Sequence, residues 1–259
     1  MFIPLGDDNT GRRITPFVVY GLVAANALVW YLQLTQGEPF TYGYSMVPYE
    51  ITHNVDLTLS NMVEVHGRDF PVPHYPGPSP IYLTLLSSMF MHGSWMHILG
   101  NMLYLWIFGD QIEDTLGHFK FILFYLACGV AAGFAQILYQ TDSVIPNLGA
   151  SGAIAGVLGA YLIKHPTNRV RVLMIRYITH MPASIVLGFW IVLQIFSQVS
   201  TPAGKSSGVA YMAHIGGFAA GVVLIFIFGR GAGGGGSGRA FGRGPGGRGP
   251  GLFPGSWGR

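Results

Sequence analysis

The sequence predicts an all-α polytopic membrane protein of six helices, and three observations predict it. Only 10% of the 259 residues are charged while 50% are hydrophobic, against roughly 25% charged in an ordinary soluble domain. Six apolar runs punctuate the chain, at about Ile14–Leu34, Ile81–Gly109, Phe119–Tyr139, Leu148–Ile163, Met181–Val199 and Val209–Phe228. Lys and Arg are distributed unevenly between alternate connecting segments. The mean hydropathy of +0.43 agrees. Lipid offers no partners to backbone N–H and C=O groups, so a run that crosses it has to be helical.

The polar segment 1–13 contains Asp7, Asp8, Arg12 and Arg13, with no apolar stretch or small-residue cleavage site. It is expected to be a cytoplasmic extension, not a removable signal. Ile14–Leu34 then has the roughly 20 residues needed to cross about 30 Å of hydrocarbon. From Gln36 to Pro80 the chain is too polar to span, and its aromatic residues, Phe40, Tyr42, Tyr44 and Tyr49 among them, suit a membrane interface. His53, His66 and His74 have no metal-ligand spacing and are expected to be solvated loop histidines.

Orientation follows from the cations. With the N-terminus inside, only Arg68 and Lys205 of the 14 Lys and Arg fall in outer segments, leaving twelve inside. Both termini are thus expected in the cytoplasm, and a prokaryotic plasma membrane is the expected location. Residues 230–259 are mostly Gly, Pro and Arg, cannot bury a core, and are expected to be a disordered tail. Arg–Gly tracts can also bind RNA or anionic headgroups, but nucleic acid is not the partner expected here. The single Cys128 excludes an intrachain disulfide. The resulting organisation is residues 1–13, a six-helix domain over 14–229, and the 230–259 tail.

Polar residues inside apolar runs are costly and point to function. The second run carries His92, His97 and Asn101, the fourth begins with Ser151, and the sixth carries His214. His97 and Asn101 are four apart and share a helix face. At 1.5 Å per residue, Ser151, thirteen residues before Lys164, sits about 20 Å above the inner edge. His97, thirteen before Asp110, reaches the same height, and His214, sixteen before Arg230, about 24 Å. Three separate runs therefore place polar groups in one layer, about 5–15 Å below the outer face of a roughly 30 Å core. The fourth run extends only about 22 Å, so the segment Thr141–Asn147 is expected to dip and admit water to Ser151. Gly152, Gly156 and Gly159, with Gly216, Gly217 and Gly221, permit close helix approach.

This set of groups points to nucleophilic catalysis. A serine hydroxyl needs an adjacent base, and His214 is the candidate at matching depth. A developing oxyanion needs donors, which His97, Asn101 and the Ser151 backbone N–H can supply. No Asp or Glu occurs from Ser143 onward, so a Ser–His dyad is expected in place of a carboxylate triad. Neither a metal nor another cofactor is called for, since no His-Glu-x-x-His pattern is present.

The segments His92-Gly-Ser-Trp-Met-His97-Ile-Leu-Gly-Asn101, Gly149-Ala-Ser151-Gly152 and Ala213-His214-Ile-Gly-Gly217 occur in this order and spacing. Over about Arg13 to Phe228 the chain resembles the rhomboid-family intramembrane serine proteases. The resemblance implies a six-transmembrane-helix rhomboid fold, with Ser151 as nucleophile, His214 as general base, and His97 and Asn101 in the oxyanion hole. It sets His92, Gly149, Gly152 and Gly217 along the site lining, and gives the fifth helix, with Trp190, a part in lateral substrate access. It also implies single-span or polytopic membrane proteins as substrates, cut near the outer side. Three features depart from the family's pattern: Ala155 stands where a tyrosine often stacks on the histidine, no Trp-Arg pair precedes the second run, and Glu113-Asp114-Thr115 replaces Glu-x-Arg. Two other classes stay open. One is a catalytically inactive rhomboid-like binder of transmembrane clients; the other is a transporter, which would want intramembrane carboxylates or inverted repeats.

Overall fold

A computed structural model describes residues 2–65, 68–200 and 209–229. His66, Lys205 and the tail expected to be disordered lie outside the described residues. The element order is β1 (Phe2–Asp7), α1 (Phe17–Gln36), α2 (Glu38–Gly43), α3 (Pro48–His53), β2 (Asn61–Val65), β3 (Arg68–Val72), α4 (Thr84–Ser87), α5 (Trp95–Leu116), α6 (His118–Tyr139), α7 (Ser151–Lys164), β4 (Arg169–Met174), β5 (Tyr177–Pro182), α8 (Ala183–Ser200) and α9 (Tyr211–Phe228). Four of these, α1, α6, α8 and α9, are long and apolar enough to cross a membrane. This is a membrane protein, and lipid accounts for side chains such as Phe119 and Leu138 that stand three-quarters or more exposed.

The all-α expectation needs correcting, because the chain is mostly helical but carries two small antiparallel sheets. β1, β4 and β5 form one in that order, and β2 pairs with β3 in the other. Val170 and Val172 of β4 are fully buried in the main core, while Arg169 and Arg171, which alternate with them, are exposed. That alternation is what a half-buried strand requires. β1 fills the edge of this sheet, so part of the polar N-terminal segment is paired into the fold. Asp7, at the end of β1, accepts a 2.6 Å hydrogen bond from the Tyr161 hydroxyl, and burial pushes its carboxyl up to about 6.

The expected second span, Ile81–Gly109, is also corrected. Its first part is a short helical segment, α4 between 3-10 turns at Ile81–Leu83 and Ser88–Phe90. The chain then runs irregularly through Met91–Ser94 and re-enters helix at Trp95. Ser94 caps α5 by accepting from the His97 N–H at 3.2 Å, the favoured N-cap arrangement. α5 continues past Gly109 to Leu116 because its acidic residues are used internally. The fully buried Glu113 carboxylate accepts from the Val18 and Val19 N–H groups and pairs with His118 at 2.5 Å. Asp114 accepts from Arg13 and Ile14 N–H. Glu113 thus satisfies two orphan donors in the first turn of α1, Asp114 ties down the segment leading into it, and both charges favour its positive dipole end.

α7 is the axis of the bundle. Every residue from Gly152 to Tyr161 is buried, so this 14-residue helix is enclosed by protein on all sides. Its glycines explain how neighbours reach it. A Cβ on Gly156 would stand 2.5 Å from the Cys128 side chain on α6, and one on Gly221 of α9 would overlap the Gly156 carbonyl. Contacts rise together along both chains, from Gly152 against Gly217 to Gly156 against Gly221, so α7 and α9 run parallel. Small-xxx-small faces let backbones approach this closely.

Replacing Gly221 should therefore overpack the α7–α9 seam. Gly221→Ala is expected to lower stability in detergent by at least about 1–3 kcal/mol. Gly188→Ala, on α8 where a Cβ meets nothing within 4 Å, is expected to stay within about 0.5 kcal/mol of the parent. Thermal or denaturant unfolding of the two variants makes the comparison, and equal midpoints would contradict the seam.

Candidate active site

Three parallel first turns build the site. His97 is the third residue of α5, Ser151 the first of α7 and His214 the fourth of α9. The sequence-derived depth layer corresponds to this alignment of helix starts.

Ser151 is positioned by the turn before it. Gly149 has φ +127°, a value L side chains rarely adopt, and a Cβ there would lie 2.8 Å from Cε1 and Nε2 of His97. Both the backbone and the space therefore demand glycine. The Gly149 N–H donates to the Ser88 carbonyl at 2.8 Å, and the Asn147 N–H and C=O pair with Met46, tying the turn to the 44–90 region. The first helical hydrogen bond runs from Ile154 N–H to the Ala150 carbonyl. The N–H groups of Ser151, Gly152 and Ala153 precede that ladder and are available to an anion.

Ser151 Oγ lies 2.8 Å from His214 Nε2, and His214 Nδ1 lies 2.7 Å from Gln194 Oε1 on α8. An amide oxygen only accepts, so Nδ1 carries the hydrogen and Nε2 presents its lone pair to the serine hydroxyl. The Trp190 ring, one turn earlier on α8, packs on the same imidazole with centroids 5.9 Å apart.

His97 has the opposite tautomer. Its Nδ1 accepts from the Gly93 N–H at 3.4 Å, which leaves the hydrogen on Nε2, at the ring edge lying against Gly149. Asn101, one turn further along α5, donates from Nδ2 to His92 Nε2 at 2.9 Å. His92 can accept because its Nδ1 donates to the Phe90 carbonyl at 3.2 Å. One of the two Asn101 N–H bonds is thus used for orientation, and the other remains.

The sequence-derived residues separate into two groups. Ser151, His214, His97, Asn101, His92 and Gly149 come together around the helix starts. Gly152 and Gly217 instead face each other across the α7–α9 seam, with Ala132 of α6 against both. His74, expected in solvent, is buried, whereas His53 is exposed and stacks on Tyr49. Among the described residues no cluster of three or more His, Cys, Asp or Glu could hold a metal ion.

Two glutamines escaped the sequence reading. Gln194 lies thirteen residues after Met181, about 20 Å along its run and level with Ser151. A search confined to carboxylates passes over it, although any polar group inside an apolar run was a signal. Gln33, buried in α1, pairs its amide with the His92 backbone, accepting from N–H and donating to C=O, both at 2.9 Å.

A family model described as Rhomboid domain matches residues 80–231. The chain is 27% identical over 158 residues to Rhomboid-like protein 11, chloroplastic, of Arabidopsis thaliana, covering 57% of this chain and 53% of the relative. It is 35% identical over 106 residues to the Presenilin-associated rhomboid-like protein, mitochondrial, of Mus musculus, covering 40% and 28%. RHOMBOID-like protein 4 of Arabidopsis thaliana is 31% identical over 143 residues, covering 55% and 33%. The chain spans about half the length of these relatives or less. Chloroplast and mitochondrion in their names lend no support to a prokaryotic plasma membrane.

The Gln33–His92 pairing is open to a test that needs no substrate. Gln33→Leu leaves a buried N–H and C=O without partners, each worth roughly 1–3 kcal/mol. Unfolding in detergent is expected to show a loss of at least about 2 kcal/mol, and a loss under about 0.5 kcal/mol would contradict the pairing.

Proposed function

Since the chain belongs to the Rhomboid family, whose model covers more than half of it, we propose that it is an intramembrane serine endopeptidase acting on single-span or polytopic membrane proteins. The observation that carries this reading is the 2.8 Å contact between Ser151 Oγ and a His214 Nε2 whose other nitrogen donates to an acceptor. A serine and imidazole in that relation form an activated nucleophile.

In the proposed reaction Ser151 Oγ attacks the scissile carbonyl carbon while its proton passes to His214 Nε2. The oxyanion is held by the Ser151 N–H, His97 Nε2–H and the second Asn101 N–H. Collapse expels the amine, which takes the proton from His214, and leaves an acyl-serine. Water, losing a proton to His214, attacks that ester; collapse returns that proton from His214 to Ser151 Oγ and releases a carboxylic acid, which ionises. No cofactor enters these steps.

The proposed topology has six spans, α1 and α5 to α9, forming a domain over 14–229 with both termini on the Lys/Arg-rich, cytoplasmic side. α5 crosses despite Asp110, Glu113 and Asp114 because Glu113 is fully buried and Asp110 is bonded to Arg12 at 2.8 Å. α7 crosses despite its 14 residues because protein, not lipid, surrounds it. The starts of α5, α7 and α9 then face the outer leaflet. A substrate helix must unwind to expose its carbonyl there, which favours Gly, Ala or Ser at the cut.

In proteoliposomes with a single-span substrate, Ser151→Ala and His214→Ala are each expected to abolish cleavage while remaining folded. Mass spectrometry should map the native cut within about two helical turns of the outer boundary, faster with Ala than with Leu or Phe before it, and indifferent to EDTA. Undiminished cleavage by Ser151→Ala, or cuts in the cytoplasmic half, would overturn the reading. Substrate capture without cleavage by the native chain would select the client-binding alternative.

Asn101→Ala is expected to reduce kcat on the order of 10²-fold with little change in KM, as loss of one oxyanion donor does. A raised KM at unchanged kcat would make Asn101 a substrate-binding residue.

A further inference from the structure

We propose that Gln194 is a positioning residue for His214, so that the hydrolytic unit is a Ser151–His214–Gln194 relay with a neutral amide as its third member. The inference rests on the protease reading above. Its geometric basis is the 2.7 Å contact between Gln194 Oε1 and His214 Nδ1, in line with the 2.8 Å contact between His214 Nε2 and Ser151 Oγ.

The chemistry gives such a partner a role. A neutral imidazole has two tautomers, and only the one protonated at Nδ1 offers Nε2 as a base. The other would point an N–H at Ser151 and could not take its proton. Gln194 Oε1 selects the productive tautomer because it accepts from Nδ1–H. During attack His214 becomes an imidazolium, and the same Nδ1–H···O=C bond becomes charge-assisted and stronger. A carboxylate would serve this end too, but an ionised group here would need burial of a charge beside apolar helices. The amide orients the base without carrying one.

The same contact ties the base to the position of α8. The buried residues of this helix, Ala183, Val186 and Leu187, all lie in its first third. Beyond Leu187 its inward contacts include Trp190 on His214 and Phe218, and Gln194 on His214. Trp190 and Gln194 are four apart and share a helix face. An outward displacement of that half of α8 separates the base from both its acceptor and its packing surface.

The test compares Gln194→Leu and Gln194→Glu with the native chain. Gln194→Leu keeps the bulk and removes the acceptor. It is expected to lower kcat roughly 10- to 100-fold with KM within about 2-fold. Gln194→Glu keeps an acceptor oxygen at the same reach and is expected to restore kcat to within about 5-fold of native. Independently of activity, ¹⁵N NMR of histidine-labelled protein, with His214 assigned by its loss in His214→Ala, should show the Nδ1–H tautomer in the native chain and a mixture in Gln194→Leu. Native kcat and native ¹⁵N shifts in Gln194→Leu would overturn the proposal, as would an Nε2-protonated His214 in the native chain, even if Gln194→Leu fails to fold. Failure of the protease reading looks different: the native chain would show the Nδ1–H tautomer yet cleave nothing.

Discussion

The parallel approach of α7 and α9 is the constraint on which the rest of the structure depends. Ser151 and His214 sit on different helices, and their 2.8 Å separation survives only if those helices hold one register. Sliding either by a single turn moves its residues about 5.4 Å and breaks the contact. Glycines fix the register: Gly217 meets the Gly152 carbonyl and Gly221 meets that of Gly156, with no room for a Cβ at either place. Hydrophobic burial cannot supply this specificity between lipid-embedded helices, because lipid tails are as apolar as leucine. Close backbone packing can. Burial from Gly152 to Tyr161 leaves Ser151, at the first turn of α7, only partly buried.

A second economy concerns charge. Around the helix starts the orienting groups are amides and imidazoles: Gln194 on His214, Gln33 on the His92 backbone, and His92 on Asn101. Carboxylates appear at the other end of α5, where Glu113 and Asp114 hold the start of α1. A neutral network can be buried fully satisfied at modest cost, whereas an ionised group in low dielectric costs several kcal/mol unless paired. The tautomers of His92, His97 and His214 follow from their partners one by one, and the proposed chemistry uses the result: a lone pair toward Ser151 from one ring and an N–H toward the Gly149 turn from another.

Much of this was legible in the residues. Periodicity and length located the runs that became α1, α6, α8 and α9 to within a few residues, because lipid allows a long apolar segment only a helical conformation. Counting rise per residue put His97, Ser151 and His214 in one layer, since all three are early residues of parallel helices. The break at Met91–Ser94 was hidden because it is only four residues long and lies inside an otherwise apolar run, although Gly93 and Ser94 carried break and capping signals. The β4 strand is visible in the alternation Arg169-Val170-Arg171-Val172, but four residues do not disclose a partner, and β1 lies more than 160 residues away. Gln194 was missed because a third member of the site was sought among carboxylates alone.

Activation of Ser151 by His214 is the central claim, and a serine-directed fluorophosphonate tests it without any substrate. The native protein in detergent is expected to form one adduct, on the peptide containing Ser151, and His214→Ala to form it at least about 100-fold more slowly. An adduct on another residue, or equal rates in the native and His214→Ala proteins, would contradict the account.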